Sequence, residues 1–161
     1  MFFTTVCEYG VRALTHLAAF GGSGPVQVKD IAEAEGIPRH FLAKILNQLT
    51  YKGLVKATRG PGGGFQLLRP PEEVLLGDVI EAIDGFDTIR DRCVLGLDAC
   101  SDADPCPMHQ VWKSFREPFL TQVSVLTLTS LGDTIMHKRQ AASSPAAPGA
   151  EPPQASTDSS E

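Results

Sequence analysis

No apolar run in this sequence approaches the roughly 20 residues of a helical membrane span, so no membrane-crossing helix is expected. A secretory leader is not expected either. The opening MFFTTVCEYGVRALTHLAAFGG has no basic stretch ahead of its apolar residues, and Glu8 and Arg12 interrupt it. There is no P-loop, no dinucleotide fingerprint and no nucleophile–base pattern, which removes the common enzyme classes. These absences predict a cytoplasmic protein that is not an enzyme. Its 161 residues make one domain of ordinary size with an appendage.

Another absence is local. Between Gly36 and Pro71 there is no acidic residue, whereas Arg39, Lys44, Lys52, Lys56, Arg59 and Arg69 all fall there. Between Asp78 and Cys106 the balance reverses, with eight acidic residues against Arg90 and Arg92. The net charge of -5 therefore averages two different surfaces and does not exclude a nucleic-acid partner.

The apolar spacing predicts mainly helical structure. Thr4 and Thr5 can cap a first helix running to about Phe20, where the glycines of GGSGP end it. VKDIAEAEGI reads as a short second helix stopped by Gly36, and Pro38 suits the first turn of a third, PRHFLAKILNQLTYKG. Two helices joined by a tight Gly-containing turn read as helix-turn-helix. In the third helix Phe41, Leu42, Ile45, Leu46 and Leu49 define a buried face, leaving Arg39, His40, Lys44 and Gln48 outward. Next, LVKATRGPGGGFQLLRP predicts a β-hairpin too short to stand without the helices. A helical trio with a basic-tipped hairpin is a winged helix-turn-helix, assigned to residues 1–74.

Residues 75–138 are predicted to hold a fourth helix from Leu75 to Asp84, a cysteine loop and a long helix from Met108 to Met136 that Pro118 kinks or divides. Val111, Trp112, Phe115, Phe119, Val123 and Leu126 give that helix an apolar stripe, which suggests a partner. Residues 139–161, dominated by Ala, Pro and Ser, lack the large apolar residues needed for order and are expected to be disordered.

The basic segment suits duplex DNA. Arg39, His40, Lys44 and Gln48 are candidates for base edges in the major groove, and Lys52 and Lys56 for phosphates. Arg59, on a thin turn, is suited to the negative potential of a minor groove. Gly62 and Gly63 let the hairpin backbone approach DNA closely.

The segment RCVLGLDACSDADPCPMHQ places Cys93, Cys100, Cys106 and His109 close together in a chain with one other cysteine, Cys7. Asp98, Ser101, Asp102, Asp104 and Pro105 around Cys100 and Cys106 mark a loop, not a core. A disulfide is disfavoured in a reducing compartment. Three thiolates and a His also make an ordinary zinc site, but the tight C-x2-C knuckle is missing. The wider spacing favours a larger object, an iron–sulfur cluster. Structural zinc stays an alternative, as does an iron–sulfur carrier with incidental basic charge.

The strings DIAEAEGIPRHFLAKILNQLTYKGLV and RGPGGGFQL, with three cysteines followed by His109 and Trp112, resemble the Rrf-type winged-helix transcriptional regulators over about residues 1–135. That group includes an iron–sulfur cluster biogenesis regulator and a nitric-oxide-sensitive repressor. The resemblance implies a homodimer that binds imperfect palindromes and whose DNA affinity follows the state of its cluster. It assigns Cys93, Cys100 and Cys106 as thiolate ligands and Arg59 as the wing arginine. For the fourth ligand it offers His109 of the same chain or Glu8 from the other subunit, with Glu8 preferred because an acid there has no evident structural reason. A two-iron cluster is the first choice and a four-iron cluster the second. Cys7 is read as a small buried residue. Two departures, a six-residue first cysteine gap in place of five and Ala43 in place of an acid, mean that operator sequence and nuclearity do not transfer from the biogenesis regulator.

Overall fold

The computed structural model of the chain describes residues 3–22, 24–90, 92–97 and 101–143. Helix α1 (Thr5–Phe20) begins where the Thr4 hydroxyl accepts the Cys7 N–H at 3.1 Å. Helix α2 (Val28–Glu35) stops at Gly36, and Pro38 then serves as the N-cap of α3 (Arg39–Tyr51), one residue outside the turn expected for it. The end of α3 depends on Gly53 at φ 75°, in the left-handed region, which lets Leu54 N–H reach the Leu49 carbonyl at 3.0 Å. That closure also folds Leu54 onto the core.

The wing pairs β1 (Val55–Thr58) with β2 (Gly64–Leu67) in antiparallel register, Val55 opposite Leu67 and Thr58 opposite Gly64. It leans on the helices through buried Val55 and Phe65 and is extended by a bridge between Phe65 and Val26. Gly64 is required there: a Cβ would stand 2.2 Å from the Val26 carbonyl oxygen, a backbone contact that cannot move aside.

The core has two lobes. The larger holds Leu14, Ile31, Leu42, Leu46, Leu49, Val55, Val74, Val79 and Leu128. Each such side chain contributes about 1.5–3 kcal/mol when removed from water. The smaller gathers Cys7, Ile80, Phe86, Ile89 and Val123, with Trp112 and Phe119 packed against them. Helix α4 (Leu76–Ile83) supplies Val79 to one lobe and Ile80 to the other, and so joins the helix-turn-helix half to the rest. A one-turn helix α5 (Asp87–Arg90) follows it.

Three expectations are corrected. The C-terminal helix is divided at Ser124–Thr127 and not at Pro118, giving α6 (His109–Val123) and α7 (Leu128–Ser143). Pro118 passes within α6 because it and Ser114, whose carbonyl loses its partner, are both exposed, so water can satisfy that carbonyl. The chain opens instead where Leu126 O accepts from Leu76 and Leu128 N–H donates to Val74, and Thr127 Oγ1 then receives the Ser130 N–H. Secondly, Phe41 does not lie on the buried face of α3; it is 48% exposed. Thirdly, α7 continues through residues 139–143, so any tail begins later, and 144–161 lie outside the described residues.

Candidate functional site

Arg39, His40, Lys44, Lys52, Lys56, Arg59 and Gly62 are all exposed, carried by α3 and the wing. None of the five cations pairs with a carboxylate among the described residues, whereas Arg69 is neutralised by Asp78 at 3.2 Å. The result is a positive face whose charge is available to an external polyanion. Gly63 is half-buried and closes the wing turn, since a Cβ there would lie 2.3 Å from the Thr58 carbonyl oxygen. Gln48 is exposed on α3 as well and has a second contact. Its amide donates to the Ala82 carbonyl at 3.2 Å, tying α3 to α4.

On another part of the molecule Cys93 Sγ and Cys106 Sγ stand 3.5 Å apart. Two thiolates on one tetrahedral metal, with bonds near 2.3 Å, sit about 3.8 Å apart, so these sulfurs are spaced for a shared metal centre. Cys100 lies outside the described residues, and the described residues alone do not gather three metal-ligating side chains. His109 opens α6, and its backbone N–H bonds to the Cys106 carbonyl at 2.9 Å. Its buried ring holds Asp102 Oδ1 through Nε2 at 2.9 Å, and Lys113 Nζ reaches the other oxygen at 2.8 Å. The Lys113 ammonium, then His109, hold the Asp102 carboxyl below the usual carboxylate value. A carboxylate behind a His is the arrangement that orients a metal-binding imidazole.

Glu8 sits in the first turn of α1, 46% exposed at its side chain and 3.8 Å from Arg12 one turn on. An acid there does have a structural reason, since it faces the positive end of the helix dipole and an i,i+4 cation. Cys7 is fully buried. Desolvation and then Asp84 push its thiol up to about 12, so it stays a protonated core residue.

The fold is shared with known proteins. Residues 3–134 match the family described as "Rrf2: Iron-dependent Transcriptional regulator". The chain belongs to the Rrf2 family. Among its curated relatives, the HTH-type transcriptional regulator IscR of Serratia proteamaculans (strain 568) is 32% identical over 137 residues, covering 83% of this chain and 82% of that protein. Among solved structures, CymR, the global cysteine regulator of B. subtilis, superposes with a TM-score of 0.68 at 26% identity over 83% of this chain and 98% of its own. IscR of T. potens gives a TM-score of 0.65 at 28% identity, covering 92% and 94%. These relatives are transcriptional regulators and not enzymes, and this Rrf2 chain is a transcriptional regulator with a winged helix for DNA. No helix among the described residues is long and apolar enough to cross a membrane.

One constellation in this Rrf2 chain was not read from its sequence. Glu35, the last residue of α2, is buried with its carboxylate 2.8 Å from His16 Nδ1 and 2.5 Å from Arg139 of α7. Arg12 adds a hydrogen bond to the Glu35 carbonyl and lies 3.8 Å from its carboxylate, while Arg139 also covers the Phe20 ring at 5.1 Å. The network ties α7 directly to the helix-turn-helix. A signal was present: Glu35 follows buried Ile31 by four residues, which puts a carboxylate on the inward face of α2.

Proposed function

We propose that this transcriptional regulator binds duplex DNA as a homodimer and that its operator affinity follows the state of an iron–sulfur cluster held by Cys93, Cys100, Cys106 and either His109 or Glu8. The observation that supports this best is the 3.5 Å pair of thiols set against the first turn of α6, in a chain whose α3 and wing form an uncompensated cationic face. His109 would complete the site from within one chain, backed by Asp102; Glu8 would have to reach it across the dimer. A two-iron cluster remains the first choice and a four-iron cluster the second. When bound, such a cluster supplies a group sensitive to oxidation, nitric oxide and iron supply.

The chain's own residues offer a route from the thiols to DNA. The loop bearing Cys93 and Cys106 leads into α6, which packs Trp112 and Phe119 against the smaller lobe with Ile80 of α4. Helix α4 in turn receives Gln48 of α3. Where the thiols hold the start of α6 therefore bears on where α3 lies. Val111 and Phe115 remain exposed on α6, an apolar strip that a second copy of the chain would cover. Since half-sites lie about one helical turn apart, a small change between two recognition helices alters the fit to both.

Two measurements test the parts. Purified without oxygen, the chain is expected to contain iron and acid-labile sulfide; zinc without sulfide would establish the structural-zinc alternative. Arg59→Ala is expected to weaken operator binding by about 1–3 kcal/mol in fluorescence anisotropy. Unchanged DNA affinity in that variant would favour the carrier reading.

A further inference from the structure

We propose that Phe41 is a specificity residue that packs its ring on the 5-methyl group of a thymine in the major groove. The inference rests on reading this chain as a DNA-binding regulator with α3 as its recognition helix, and deepens it. Phe41 is the third residue of α3, within the N-terminal turn that meets base edges when such a helix enters a groove. It is 48% exposed, whereas Leu42, Ile45, Leu46 and Leu49 on the same helix are almost wholly buried, and it belongs to neither lobe of the core. The core of α3 is thus complete without it.

An exposed apolar side chain alone says little, because such residues are common. Its setting is what selects the occupant. The Phe41 ring lies against the His40 ring with centroids 4.5 Å apart, so the pair is held together at the helix surface. Exposed Arg39 and Lys44 flank it, and no acid occurs from Gly36 to Pro71, which fits a polyanion and disfavours an acid-free apolar protein surface. Within the major groove thymine alone presents a methyl group, the one apolar feature such a ring can distinguish. Tyr51, the other exposed aromatic of α3, stands at the opposite end of the helix and is not placed for that contact.

The test uses the full chain, purified without oxygen, and the duplex it selects from a random-sequence pool. Thymines in each half-site are replaced one at a time by deoxyuridine, which pairs identically and lacks only the methyl. The wild type is expected to lose about fourfold in affinity at one thymine per half-site, and about fifteenfold when both symmetric positions are changed. Phe41→Ala should bind the parent duplex with a similar loss and be indifferent to deoxyuridine at that position, while Phe41→Leu keeps part of the sensitivity. The melting temperature of both variants should stay close to that of the wild type. If the wild type ignores every deoxyuridine, or Phe41→Ala retains full sensitivity, the assignment of Phe41 is overturned. In either case weakened binding by Lys44→Ala would leave the DNA-binding reading standing. Selection of no preferred duplex at all would overturn both.

Discussion

Replacing Glu35 by alanine is expected to destabilise the fold by about 3 kcal/mol, lowering the melting temperature by roughly 10 °C in differential scanning calorimetry. Opening a buried ion pair from one side typically costs about 3–5 kcal/mol because the remaining charge loses its partner without regaining water. The lower end applies because Arg12 and Arg139 are 37% and 42% exposed at their side chains and are partly screened. His16 is buried against the carboxylate and would lose its hydrogen-bond partner. Glu35→Gln keeps an acceptor for His16 and is expected to lose less than the alanine variant. A melting temperature unchanged in Glu35→Ala would show that the network contributes nothing to holding α7 on the helix-turn-helix.

The second large effect concerns the thiols. Cys93→Ala and Cys106→Ala are each expected to abolish the cluster, seen as loss of visible absorption and of bound iron and sulfide in protein prepared without oxygen. Cys7→Ala should retain full iron and sulfide, because its thiol is buried with Ile80 and Val123 and held protonated by desolvation. Full cluster content in Cys106→Ala would remove that thiol from the ligand set. Comparing His109→Ala with Glu8→Ala by the same readout decides the fourth ligand. Full iron and sulfide in His109→Ala, with loss in Glu8→Ala, would identify a ligand supplied across the dimer.

What the sequence made legible was local. Period-3.6 apolar spacing marked α1 to α4, RGPGGG marked the wing turn, and Gly53 and Leu54 marked the end of α3, because each depends on neighbours a few residues away. The division at Ser124–Thr127 was not legible, since it arises from hydrogen bonds to Val74 and Leu76, some fifty residues earlier in the chain. Pro118 drew attention as the local breaker, but its exposed position on α6 lets the helix continue. Phe41 fits the apolar stripe of α3 by spacing alone, yet it lies at the edge of that stripe, where packing and not periodicity decides exposure. Gln48 is outward as the same rule expects, and the hydrogen bond it makes depends on the distant Ala82 carbonyl, which spacing cannot show. At the thiol site the spacing of Cys93, Cys100, Cys106 and His109 was readable. The Asp102–Lys113 clamp on His109 was not, because it requires the loop to fold back on α6.

The central claim is that cluster state controls DNA binding, and one titration tests it most directly. The affinity of the full chain for its selected palindrome is measured under anaerobic conditions, once with the cluster present and once after its removal by chelation, at the same salt concentration. A difference of at least about tenfold, or roughly 1.4 kcal/mol, is expected. Equal affinity in the two states would contradict it and leave a winged-helix regulator whose thiols have no part in reading DNA.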